Sequence, residues 1–193
     1  MLSLPAAPAP APRRQVFVGT ALACAAGTTL VGGMLAMWMR FRDDALSITG
    51  GTWVPKGVVI PGVATNVMLI AFLPICVFAQ WAVYAARRDD RPNTALALAL
   101  VALLGLAVIN GQVFVYSQMN LAAAGGAFNS MFYAVTGTFV LLTIIGMGFS
   151  GIAAFRFLGG RTADREIVSA HAMYWYFLSV AYAALWFVVY VTK

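Results

Sequence analysis

Few side chains in this sequence are able to do chemistry in an apolar setting, and their spacing is poor for catalysis. There is one histidine, His171, and there are two cysteines, Cys24 and Cys76. Bis-imidazole haem needs two histidines, and zinc or copper needs two or more thiolate or imidazole ligands converging, so the chain alone is expected to hold none of them. His171 reads as an interfacial residue beside Glu166, and the two thiols read as small apolar packing groups. The remaining polar groups are neutral. Asn110, Gln112, Ser117 and Gln118 share one stretch, and Asn66 and Gln80 lie near opposite ends of another, where headgroup water is expected to satisfy them. Amides of this kind either hydrogen-bond between membrane helices, for roughly 0.6 kcal/mol each, or line a polar cavity.

These residues ride on five apolar stretches, at about 16–39, 62–86, 94–118, 130–157 and 167–190. Each reaches the ~20 residues a spanning helix needs. The formal charges sit in the tail and loops, with Arg156 at the extreme end of the fourth stretch counted to the loop that follows. Ionisable groups at bilayer depth mark proton relays and ion pathways, so their absence argues against catalysis, pumping or conduction by this chain alone. The sequence is 193 residues long, 62% hydrophobic and 9% charged, against about 25% charged in soluble domains. The predicted class is all-α and polytopic: a Pro/Ala-rich flexible tail over 1–15, then one five-helix transmembrane domain over 16–193. The first apolar run is too long for the core of a signal peptide and is expected to be retained as a membrane helix. The net charge of +6 does not imply nucleic-acid binding, because Lys and Arg cluster at the ends of the spans.

The connections carry the remaining signals. The longest, about 40–61, reads as an ordered surface loop. Ala86–Thr94 reads as a tight charged turn, with Pro92 and Asn93 opening the third helix. Gly159-Gly160 should end the fourth helix, and Thr162 or Asp164 should cap the fifth. Arg13, Arg14, Arg87, Arg88, Arg91, Arg156, Arg161 and Arg165 fall on one side, against Arg40, Arg42, Lys56 and Lys193 on the other. That asymmetry predicts a cytoplasmic N-terminus and an outside C-terminus.

Three groups of residues are candidates for interaction. Trp38, Arg40, Arg42 and Trp53 at one interface, and Trp81, Tyr84, Arg87 and Arg88 at the other, suit phospholipid headgroups and acyl chains. Small residues every fourth position, Gly19–Ala23–Gly27 and Gly146–Ser150–Ala154, let a second helix approach closely. Helix five is dense in aromatics, and Tyr174, Trp175, Tyr176, Ser179 and Tyr182 are its candidate subunit contacts, a lipid-facing wall being the competing reading.

The ordered set of spans and motifs resembles the subunit III family of haem–copper oxidases in its short five-helix form. NSMFYAVTG (Asn129–Gly137) is similar to the family's aromatic pair followed by Thr-Gly. AMYWYFLSVAYAALWFVVYV (Ala172–Val191) is similar to its aromatic-rich last helix. Gly111-Gln112 ahead of Tyr116, and VGT with Trp38 and Arg42, are similar to two further segments. The departures are consistent in kind. Gly27 stands where the family usually has a membrane glutamate, and Val115 where it has Glu before Tyr. Phe139 and Leu142 replace two histidines, while Tyr176 and Ser179 replace a His and an Asp. The resemblance implies a non-catalytic accessory subunit of an aerobic cytochrome c oxidase in a bacterial cytoplasmic membrane. It would be docked on subunits I and II, stabilise the catalytic subunit and hold phospholipid, with haem and copper in the partner subunits and none in this chain. A subunit III-like partner of a nitric oxide reductase and a small neutral-substrate transporter are the alternatives, the second resting on the Asn110–Gln112 pair.

Overall fold

The computed structural model describes residues 14–49, 52–159 and 165–192. The tail through Arg13, the candidate caps Thr162 and Asp164, and Gly160, Arg161 and Lys193 lie outside the described residues. Five helices follow one another: α1 (Gln15–Thr49), α2 (Gly62–Arg87), α3 (Arg91–Met119), α4 (Ala127–Leu158) and α5 (Arg165–Leu185). The last winds on as a wider π-type segment, Trp186–Val191. All five are long and apolar enough to cross a membrane, and no strand occurs among the described residues. With five spans the two ends of the bundle carry alternate connections.

The spans lie close to their expected positions, with one instructive exception. α1 continues ten residues past the expected end, through Arg40, Arg42, Asp43 and Asp44, so the first part of the expected surface loop is helix. Hydropathy marks where hydrocarbon ends, not where a helix must stop. Arg40 Nε and Asp44 Oδ2 pair at 3.2 Å across one turn, and Ala45 and Leu46 are good helix formers. At 1.5 Å per residue α1 is about 52 Å long, well beyond the ~30 Å of hydrocarbon.

The α2–α3 turn is closed by Asp90. Its carboxylate accepts from the Asn93 side-chain amide at 2.6 Å and from the Asn93 backbone N–H at 3.2 Å, with Pro92 in the first turn. These two bonds, the side-chain one foremost, hold the Asp90 carboxyl below its ordinary value of 3.8. A lowered folded-state pKa contributes stability above the unfolded value and loses it as pH falls through the folded one. The wild-type chain should therefore lose more thermal stability than Asp90→Asn between about pH 5 and about pH 2. Equal losses would show that this cap does not titrate with folding. α4 begins after Gly126, at φ 133°, a backbone conformation closed to L side chains.

α5 sits at the centre, packed against α1, α2 and α4, while α3 packs on α2 and α4. One end of the bundle is tied by charge. Arg165 pairs with Asp89, joining the start of α5 to the α2–α3 turn. Glu166 accepts from the Phe17 backbone N–H at 2.8 Å, one of the orphan amides of α1, where a negative charge is also favoured. The other end is closed by rings: Trp38 meets Trp53 edge-on at 5.2 Å, and both rest on Phe128 at 5.4 Å.

A neutral core as the candidate functional site

Of the residues expected to contact other subunits, Tyr174, Trp175 and Tyr182 lie in this chain's own core, and Tyr176 and Ser179 are half-buried at its edge. Tyr174 donates to the Leu142 carbonyl at 2.9 Å and Tyr176 to Gln80 Oε1 at 2.7 Å. Ser179 lies 3.1 Å from Cys76 Sγ and donates to its own backbone at Trp175. Tyr182 reaches the Thr65 carbonyl at 3.2 Å and stacks on Phe72 at 5.2 Å. Trp175 and Tyr182 are fully enclosed. Composition identified helix five as rich in large amphipathic rings. It did not say that this helix is the central one, and a central helix spends its hydroxyls on its neighbours.

His171 is also turned inward. It is completely buried and joins α4 to α5. Its Nε2 lies 2.7 Å from Ser150 Oγ and 2.9 Å from Trp175 Nε1. Indole N–H only donates, but Ser150 Oγ at 3.2 Å is a second acceptor for it, so either ring nitrogen, Nε2 or Nδ1, can carry the imidazole proton. That Nδ1 is buried and has no partner among the described residues. Asn66 and Gln80 are exposed, and each has its carboxamide oxygen engaged within the chain: Asn66 accepts from Trp186 Nε1 at 2.9 Å and Gln80 from Tyr176.

The two small-residue stripes behave differently. On α4, a Cβ at Gly146 would lie 3.0 Å from Tyr174 Cε1, Ser150 bonds His171, and Ala154 is partly buried, so this stripe seats α5. On α1, Gly19 has nothing within 4 Å of a built Cβ, and Gly19 and Ala23 face outward. Gly27 alone meets α5: a Cβ there would stand 2.6 Å from Phe177 Cζ.

The candidate lipid residues separate by depth. Trp38 and Trp53 are buried against each other and present no face to lipid, and Arg42 is largely covered, its guanidinium 3.5 Å from Asp43. Arg40, Tyr84, Arg87 and Arg88 are exposed and Trp81 is half-buried. Arg88 lies over the Tyr84 ring at 4.1 Å, a cation–π contact at the charged end of α2.

Asn110 and Gln112 do not share a cavity. Two residues along a helix are about 200° apart around its axis. Gln112 points inward and accepts from Tyr190 at 3.2 Å, while Asn110 is exposed. This removes the convergent polar pair on which the transporter reading rested. Among the described residues no three His, Cys, Asp or Glu side chains come together as a metal ligand set. The one imidazole has its Nε2 engaged by Ser150 and Trp175, so the side chains do not fit haem or copper.

Positions where the resemblance places ionisable groups are filled by neutral packing. Phe177 occupies the space over Gly27, Val115 is fully buried, and Phe139 is buried against Phe72 and Tyr182, at 6.0 and 5.1 Å. The sequence profile described as cytochrome c oxidase subunit III matches residues 25–193. The chain belongs to this family. A probable cytochrome c oxidase subunit 3 of Mycobacterium leprae is 29% identical over 188 residues, covering 91% of this chain and 87% of the relative. The cytochrome c oxidase subunit 3 of Salmo salar is 29% identical over 174 residues, covering 84% of this chain and 65% of the relative. That of Yarrowia lipolytica is 28% identical over 163 residues, with 81% and 61% covered. The chain thus spans under two thirds of the length of the fish and yeast subunits it matches. This subunit III family member is a multi-pass membrane protein, with five helices among the described residues long and apolar enough to span.

Proposed function

We propose that this chain is a non-catalytic accessory subunit of a cytochrome c oxidase in a bacterial cytoplasmic membrane, its N-terminus cytoplasmic. It docks on subunits I and II, which carry the haem and copper, stabilises the catalytic subunit during turnover and retains phospholipid. The observation that carries this reading is the neutral core. The chain has the family's architecture, yet aromatic and aliphatic groups fill the places of its membrane acids and imidazoles, so it supports a neighbour by packing. Lipid contact is assigned to the exposed cations, Arg87 and Arg88 beside Tyr84 and Trp81 at one interface and Arg40 at the other, because charge-assisted bonds to phosphate need accessible donors.

Oxygen consumption by the oxidase with and without this chain tests the reading. The complex lacking it should start at a comparable rate and lose activity faster during turnover. An immediate loss of all oxygen reduction, with the partner subunits intact and fully loaded, would contradict it.

A further inference from the structure

Among the described residues Asn66, Gln80, Gln112 and Asn129 each have at least one partner within the chain, although Gln112 Nε2 and Asn129 Oδ1 are buried without one, and Asn110 has none. Asn66, Gln80 and Gln112 accept from Trp186, Tyr176 and Tyr190, and Gln118 sits one residue from the end of α3. Asn110 is exposed on the outer face of α3, and among the described residues no hydrogen bond reaches its carboxamide. It lies nine residues before the end of α3. With a helix of about 43 Å centred on about 30 Å of hydrocarbon, that is about 7 Å inside the apolar layer. The side chain is too short to reach the headgroups from there, and acyl chains offer no donor or acceptor, so a lipid-facing Asn110 would stay unsatisfied at a real cost.

Asn110 borders a groove of about 830 Å³ between α2 and α3, with Ala64, Ala71, Ala107 and Gly111 among its lining residues. Its outer rim is apolar, with Val63 and Val67 81% and 59% exposed. Small residues along such a groove let another backbone come near. The geometry points to this groove as the docking site of a transmembrane helix from a different subunit, one that presents a Ser, Thr, Tyr, Asn or Gln side chain to Asn110. A second copy of this chain fits poorly. A two-fold contact sets the same patch against itself, and two facing grooves enclose a void, whereas a single convex helix fills the space. This assignment rests on the proposed oxidase role and names the face of the chain that serves it.

A photoreactive residue in place of Asn110, irradiated in native membranes, tests the assignment by the identity of the adduct. The expected product is a cross-link to a different membrane subunit of the haem-containing complex. In parallel, Asn110→Leu should shorten the half-life of the purified complex in detergent roughly three-fold and leave the isolated chain at least as resistant to unfolding. Asn110→Gln should restore part of that half-life. A lipid-only adduct, an adduct to a second copy, or an unchanged half-life would overturn the docking face while the complex still co-purifies with its haem. Absence of any haem-containing complex would instead overturn the oxidase reading beneath it.

Discussion

Trp175→Ala is expected to destabilise the bundle by about 3 kcal/mol, toward the low end of the range for emptying a buried aromatic site, because lipid cancels much of the transfer part and leaves the cavity part. Trp175 is fully enclosed, and its ring is the filler between three helices. A Cβ built on Gly105 of α3 would stand 2.6 Å from Trp175 Cη2 and 3.4 Å from Met147 Cγ of α4. The same side chain supplies an indole N–H to the buried His171–Ser150 pair. Truncation therefore leaves a void and removes a donor from that pair. Titration of the purified chain with a denaturing detergent checks this, and Trp175→Phe should recover much of the packing without the hydrogen bond. A Trp175→Ala chain that unfolds at the wild-type midpoint would mean that α5 is not the pillar of the bundle.

Gly27→Glu is expected to be comparably damaging, although glutamate is what the family usually carries there. Gly27 lies near the middle of the apolar part of α1, and Phe177 occupies the space a side chain would need. An acid at the centre of a spanning helix costs about 3 kcal/mol, and displacing the ring adds about 1–3 kcal/mol of overpacking. Gly27→Ala isolates the second contribution. The same detergent titration, together with the yield of membrane-inserted chain, reads both. Wild-type stability in Gly27→Glu would show that Phe177 swings aside readily, and that the acid was lost without repacking around its place.

These two sites show what was legible in the sequence and what was not. The five spans were readable because hydrophobic length is a one-dimensional property, and so was the opening of α3 at Pro92 and Asn93. Radial position was not readable. Whether Tyr174, Trp175 and Tyr182 face lipid, a partner or their own bundle depends on which helix becomes central, and that is set by contacts far apart in sequence. His171 looked interfacial because it falls near the start of its span, yet the α4 stripe brings Ser150 against it and closes it off. Trp38 and Trp53 looked like interfacial anchors one by one. As a pair resting on Phe128 they are a plug. Asn66 and Gln80 read as water-satisfied amides, and what the sequence hid is that their oxygens accept from residues about a hundred positions away, Trp186 in the π-type segment and Tyr176 on α5. The continuation of α1 through Arg40–Asp44 was hidden because hydropathy reports the solvent around a helix rather than its backbone.

Purification of the tagged chain from native membranes in mild detergent, followed by an absorption spectrum before and after its release from the complex, tests the central claim most directly. The expected result is haem absorbance and copper that accompany the chain in a complex with larger membrane subunits, and no Soret band in the released chain. A stable assembly of this chain alone with no haem protein attached, or a released chain that retains a haem band, would contradict it.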